Sequence, residues 1–235
     1  MKAYLEKNIY TESAHRNPAG TTAQQRLHGH SYRIELLSEG EVDPDLGWIV
    51  DYRDLKQLFK PIEDRLDHAY LNEISGLEED TSLPALQRWI NAELAERQKG
   101  GVVLCTGARV SILGELCFRP TRIPATVRHP DRWRFTFEAA QSLPNLPKGH
   151  PCRNVHGHSY QIEAGAEDID GLPAHLEALY NVFDHHHLND MEGLEHATCE
   201  CMCRWIWEWL LKRQQKPTVI IVRETPSARC IYYGE

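Results

Sequence analysis

The chain has 235 residues, and its 26 Lys and Arg against 34 Asp and Glu give a net charge of −8 and a pI near 5.9. That balance offers no basic footprint for phosphate neutralisation, so nucleic acid is not expected as a partner. There is no apolar run of about 20 residues, and MKAYLEKNIY carries neither an apolar signal core nor a cleavage site. A soluble cytoplasmic protein with no membrane partner is expected, its seven cysteines being reduced thiols rather than a disulfide framework.

Residues 2–14 read as a weak strand running into His15, followed by the polar loop NPAGTTAQQ. From Leu27 the alternation of Tyr32, Ile34 and Leu36 predicts a strand, with Pro44 and Gly47 marking a turn and Trp48–Val50 a return strand. The period then changes: Leu55, Leu58, Phe59, Ile62 and Leu66 take helical spacing behind a possible Asp51 N-cap, with a kink or break expected at Pro61. A second helix is expected over 82–95 on Leu86, Trp89, Ile90 and Leu94, and strand material over 102–116. Residues 118–130 carry Pro120, Pro124 and Pro130 and read as an extended linker between domains at 1–120 and 131–235.

The second half repeats the order. RWRFTFEAA reads as a strand, HGHSYQIEAGAE as its neighbour, Leu176, Leu179, Val182 and Phe183 as a helical stripe, 198–212 as a second helix, and TVIIVRET with ARCIYYG as a strand pair. Each half is therefore expected to be a ββααββ unit, an α+β fold with two helices on one face of an antiparallel sheet. The repeat is explicit in the pentapeptide HGHSY, at His28–Tyr32 and at His156–Tyr160. His28 pairs with His156 at an offset of 128, Asp67-His68 with Asp184-His185 at 117, and Glu115 with Glu224 at 109.

On a strand the two histidines of HGH share one face about 7 Å apart, close enough to close on one metal ion. His15, in TESAHR, supplies a third imidazole for His28 and His30, matching a catalytic zinc with an open fourth position. In the second half FEAAQS puts Gln141 at the equivalent place, leaving His156 and His158. Cys152 lies four residues before His156, where cationic or metallic neighbours would favour a thiolate, with an inert free thiol as the alternative; Gln24 stands at the matching place in the first half. Each Asp-His pair has the carboxylate–imidazole form used in general acid/base chemistry, or alternatively caps a helix end. Glu115 and Glu224 end predicted strands, where a carboxylate can hold an amino-pyrimidine edge or simply be exposed. Cys199, Cys201 and Cys203 lie on a predicted helix and read as packing residues.

FEAAQSLPNLPKGHPCRNVHGHSY, DHHHLND, CRWIWEWL and VRETPSARCIYYG, with LHGHSY, GEVDPDLGWIVDYRDLKQLFKP and RLDHAYLNE in the first half, resemble the 6-pyruvoyltetrahydropterin synthase superfamily, specifically its 6-carboxytetrahydropterin synthase branch, as a tandem duplication. The resemblance implies two tandem tunnelling-fold units that oligomerise to close barrels, with active sites between units. It also implies a zinc-dependent carbon–carbon lyase that converts 7,8-dihydroneopterin triphosphate to 6-carboxytetrahydropterin, acetaldehyde and triphosphate on the route to queuosine; 6-pyruvoyltetrahydropterin is the alternative product. Carried over, zinc falls on His15, His28 and His30, matched by His156 and His158; the catalytic cysteine falls on Cys152, its partners on Asp184 and His185 or Asp67 and His68, and the pterin anchor on Glu224 with Glu115 as its counterpart. Neither half carries the complete set, so a diverged lyase is expected, with a non-catalytic zinc- and pterin-binding module as the alternative. The triphosphate would need a local basic pocket among Arg26, Lys148, Arg153 and Arg223.

Overall fold

Alternating sequence on either side of the 16–27 loop makes two long strands, and they pair with each other. The structure is a computed structural model and describes residues 1–102 and 104–234. β1 (Lys2–His15) and β2 (His28–Glu41) run antiparallel over their full length, from Lys2 opposite Glu41 to His15 opposite His28. The return strand expected at Trp48–Val50 does not form. Asp43 Oδ1 accepts from the amides of Asp45 and Leu46, and Asp43 N donates to Trp48 O; Asp51 then caps α1 (Tyr52–Leu66) by accepting from Arg53 N. The chain is committed to a turn and then a helix, and β2 finds its partner upstream instead.

α1 runs unbroken through Pro61 and buries Leu55, Phe59, Ile62 and Leu66. After the two-residue β3 (Ala69–Tyr70), α2 (Leu83–Arg97) begins at a Ser82 cap, and β4 (Gly107–Ile112) completes a sheet of order β3-β1-β2-β4. The strand material expected over 102–116 thus condenses to six residues, and Val103 lies outside the described residues. The helices cover the face that carries Tyr32, Ile34 and Leu36, and burial of each large aliphatic side chain there contributes about 1.5–3 kcal/mol.

The second unit contains β5 (Thr121–Ile123), β6 (Arg132–Gln141), β7 (His156–Ala166), α3 (Leu172–Phe183), β8 (His186–His187), α4 (Cys199–Leu211), β9 (Pro217–Thr225) and β10 (Ala228–Tyr232). Its sheet order is β10-β9-β7-β6-β5, with β8 beside β6. This unit has the expected ββααββ order, whereas the first stops at ββααβ. The reason lies at Gly114, where a Cβ would meet Glu138 Oε1 at 1.7 Å: the chain crosses onto the second unit directly after β4, and β5, inside the proline-bearing stretch, pairs with β6. Phe135, Phe137, Tyr160, Ile162, Phe183, Ile206 and Leu210 build a second, separate core.

The two units meet where β2 crosses β7. A Cβ on Gly29 would lie 2.4 Å from Gly157 Cα, and one on Gly157 would lie 2.2 Å from Gly29 Cα, so the glycines permit backbone contact that no other residue allows. Beside them Ser31 N donates to Ser159 Oγ (3.2 Å) and Ser159 N donates to Ser31 Oγ (3.0 Å), a reciprocal pair that relates the repeats by a local twofold. Gly157→Ala is expected to cost about 3 kcal/mol or more by forcing these strands apart, measured as a lowered urea midpoint; an unchanged midpoint would show that the strands do not touch.

Candidate functional site

His15 and His28 stand directly opposite each other on β1 and β2, and His30 follows two residues along the same face. Their ligand nitrogens lie within 4.8 Å of one another, and all three rings are buried. Each Nδ1 is already occupied: His15 by Thr81 Oγ1 (2.7 Å), His28 by Arg26 O (2.8 Å) and His30 by Glu138 Oε2 (2.6 Å). Because Thr81 Oγ1 donates onward to Arg16 O, it accepts from His15, and the backbone carbonyl at His28 can only accept. The Nδ1–H tautomer is thereby set, and the Nε2 lone pairs converge; Nε2 of His15 and of His28 are buried with no partner. Burial, followed by the neighbouring rings, lowers His28 to about 2 and His30 to about 3, so the rings are neutral donors. Three oriented, neutral imidazoles with orphaned nitrogens fit a metal ion.

The fourth side of this cluster comes from the other repeat. The His185 ring packs 4.3 Å from that of His28, and its Nδ1 lies 2.6 Å from Asp184 Oδ2. Burial opposes ionisation of Asp184, but the His185 hydrogen bond and the Glu138 amide outweigh it and hold the carboxyl below its usual range. His185 has φ +55°, a left-handed conformation uncommon for a non-glycine residue, fixed by the His185 N to Glu138 O bond (2.6 Å) and by Arg26 Nε donating to His185 O (3.0 Å). A cavity of about 240 Å³ opens here, lined among others by Asn17, Gln24, Tyr32 and Ile112.

The second centre has the same scaffold and different chemistry. His68, at φ +54°, packs 4.6 Å from His156 and bonds Asp67 Oδ2 at 3.0 Å, while its amide donates to Glu12 O. Gln141 stands opposite His156 and donates from Nε2 to Glu224 Oε1 (2.8 Å). His158 faces carboxylates on both sides, with Nδ1 2.9 Å from Glu12 Oε2 and Nε2 2.8 Å from Glu224 Oε1. Burial opposes its charge, yet the two carboxylates win and raise it to about 9; burial likewise opposes the ionisation of Glu224, yet His158 holds it at about 2. Nε2 of His158 makes no hydrogen bond despite that contact, and Gln141, which donates to Glu224, offers no lone pair, so Gln141, His156 and His158 do not repeat the three-imidazole set of the first centre, although His156, His158 and Glu224 lie within ligand distance of one another. Cys152 groups with His68 and His156, and its thiol is pushed up first by burial and then by Glu224 and Asp67, the opposite of the thiolate expected from sequence.

The expected residues are therefore brought together across the repeats and not within them. Asp184 and His185 join His15, His28 and His30, whereas Asp67 and His68 join Cys152, His156, His158 and Glu224. Glu115 joins neither: its carboxylate is half exposed, 3.9 Å from Arg119, and its amide donates to Thr136 Oγ1. Strand register gives the reason, since Gln161 pairs with Arg223 and Arg33 with Ser111, which makes Ile112 the counterpart of Glu224. Of the basic residues weighed for triphosphate, Arg26 is held on His185 O, and Arg153 on the carbonyls of Pro144 and Leu146. Cys203 is buried, while Cys199 Sγ donates to Glu224 Oε2 at 3.4 Å.

Glu12 and Glu138 are the residues that sequence reasoning missed. Each sits three places before His15 or Gln141, takes the hydroxyl of its own unit's serine (Ser31 or Ser159), and reaches the second HGH histidine of the other unit. Their recurrence in TESAH and FEAAQ was the available signal. Burial pushes Glu138 well above the usual carboxyl range, a cost that a cation held by His30 would offset. Glu138→Gln keeps the shape but removes the charge behind His30, and is expected to weaken divalent-metal binding at His15, His28 and His30 by about tenfold or more in a chelator competition, with circular dichroism unchanged; unaltered affinity would contradict this role.

A sequence model described as 6-pyruvoyl tetrahydropterin synthase matches the chain twice, over residues 4–112 and 132–235. Among curated proteins, 6-carboxy-5,6,7,8-tetrahydropterin synthase of Synechocystis is 36% identical over 97 residues, covering 39% of this chain and 74% of that protein. Dihydroneopterin monophosphate aldolase of Pyrococcus furiosus is 29% identical over 80 residues, covering 34% of this chain and 66% of its own length. Among solved structures, Caenorhabditis elegans 6-pyruvoyl tetrahydropterin synthase matches with a TM-score of 0.39 at 19% identity, covering 48% of this chain and 96% of its own. The chain belongs to the 6-pyruvoyl tetrahydropterin synthase family, as two tandem tunnelling-fold units.

Proposed function

We propose that the chain is a zinc-dependent pterin lyase acting on 7,8-dihydroneopterin triphosphate, with 6-carboxytetrahydropterin, acetaldehyde and triphosphate as products, in the supply of queuosine precursors. The observation that carries this reading is the convergence of three fixed Nε2 lone pairs at His15, His28 and His30 with the Asp184–His185 pair packed against them. Family membership and the relatives, two kinds of pterin enzyme, support it.

Zinc held by the three histidines would supply Lewis-acid polarisation of the substrate's side-chain oxygens. His185 does the proton transfer: with Nδ1–H held on Asp184, its Nε2 takes the proton of a side-chain hydroxyl and returns it to the carbon fragment as the C–C bond breaks. Asp184 keeps the ring in that tautomer and balances the imidazolium that forms. Asn17 Oδ1, buried without a partner in the same cavity, is an acceptor for a pterin N–H, in place of the carboxylate that Ile112 does not supply. β4 and β10 end their sheets with one unpaired edge each, which a homo-oligomer would cover. Among the described residues no helix is long and apolar enough to cross a membrane.

A second reading, a zinc- and pterin-binding module without turnover, draws on one observation: Cys152 and Glu224 stand in a different centre from the three histidines. One experiment separates the two. Zinc-loaded protein given 7,8-dihydroneopterin triphosphate is expected to release acetaldehyde, with His28→Ala and His185→Ala each lowering the rate about 10²–10⁴-fold and Cys152→Ala leaving most of it. A silent, fully loaded wild type supports the binding module, and loss of activity in Cys152→Ala but not in His185→Ala would move the chemistry to the second centre.

A further inference from the structure

The second centre departs from its counterpart in a way that builds a different ligand set. Gln141 presents an N–H, 3.5 Å from His156 Nε2, at the place where a third imidazole lone pair would be needed, and His158 is locked between Glu12 and Glu224. Gln141, which donates to Glu224, therefore offers no lone pair to a cation at His156. Beside it stand His68 and Cys152, and one ring nitrogen of each histidine and Cys152 Sγ lie within 4.8 Å of one another, the same limit that holds for His15, His28 and His30.

Both rings are oriented to donate a lone pair there. His156 Nδ1 is held at 2.8 Å by Asn154 O, and His68 Nδ1 at 3.0 Å by Asp67 Oδ2, so each Nε2 is free of its proton. His156 is fully buried, His68 is half-buried, and Cys152 sits in a single 3-10 turn (Pro151–Arg153) ahead of β7, held by the Leu143 N to Cys152 O bond. Small side-chain rotations close such a set to the roughly 3.4 Å ligand spacing of a tetrahedral site. The carboxylate behind one histidine and the carbonyl behind the other are the outer partners that metal-binding imidazoles need.

We propose that Cys152, His156 and His68 form a second metal site, of Cys-His₂ type with one open position, that takes zinc or another borderline-soft divalent cation. It is distinct from the cluster of His15, His28 and His30, and it draws one ligand from the first repeat and two from the second. Binding forms the metal–sulfur bond as the Cys152 S–H proton leaves to solvent, so one proton is released per ion bound. Of the three ligands, His68 also lines a cleft of about 610 Å³, with Asn154, Arg16 and Tyr70.

Full-length protein stripped by a chelator and titrated with cobalt(II) tests this without reference to activity. Wild type is expected to bind two equivalents per chain and to develop thiolate-to-cobalt charge-transfer absorption. Cys152→Ala should bind one equivalent and lose that absorption, and His68→Ala should also lose it, while His28→Ala binds one equivalent and keeps it. A wild type with one equivalent and no thiolate absorption overturns the proposal. So does Cys152→Ala retaining two equivalents, which would put the ion on His156, His158 and Glu224 instead.

Discussion

Backbone contact between Gly29 and Gly157 is the constraint from which the rest of the molecule follows. Two strands can cross at that distance only where neither has a side chain, and the reciprocal serine bonds beside the crossing hold one relative orientation of the units. Everything chemically distinctive lies within a few residues of this point. The glutamates of β1 and β6 reach across it to His158 and His30, and the Asp-His turns, docked on those same strands through β3 and β8, project their rings into the opposite unit. Each centre is therefore a joint product of both repeats, and neither unit alone would present a finished pocket.

On this common frame the two centres have diverged at three corresponding places. Where the first has His15, the second has Gln141; where the second has Glu224, the first has Ile112; where the second has Cys152, the first has Gln24. The first change matters most, because it decides whether lone pairs or protons face the middle of the cluster. In the first centre three neutral nitrogens converge and call for a cation. In the second Gln141 puts an N–H in place of the third lone pair, and His158 stands between two carboxylates.

Much of the fold was legible because it rests on local pattern. The alternation of Tyr32, Ile34 and Leu36, the helical stripe from Leu55 to Leu66, the Asp51 cap and the HGHSY repeat all act through near neighbours, and the structure bears out two tandem α+β units. Three features were not legible for the same physical reason in reverse. The partner of β2 depends on which distant strand offers a longer ladder; the short form of the first unit depends on Gly114 meeting Glu138; and the counterpart of Glu224 depends on strand register, which counting residues from the chain misplaced by three. The allegiance of the Asp-His pairs likewise follows from the crossing of the units, a tertiary contact that no spacing within either half encodes.

The account stands or falls on His185 facing the histidines of the other repeat in the same chain. Anomalous diffraction at the zinc edge from crystals of zinc-loaded protein tests it most directly. The expected result is a peak bonded to Nε2 of His15, His28 and His30, with the His185 ring of the same chain packed against His28. Metal-replete crystals in which those three rings turn apart, or in which the ring over His28 belongs to another chain, would contradict it.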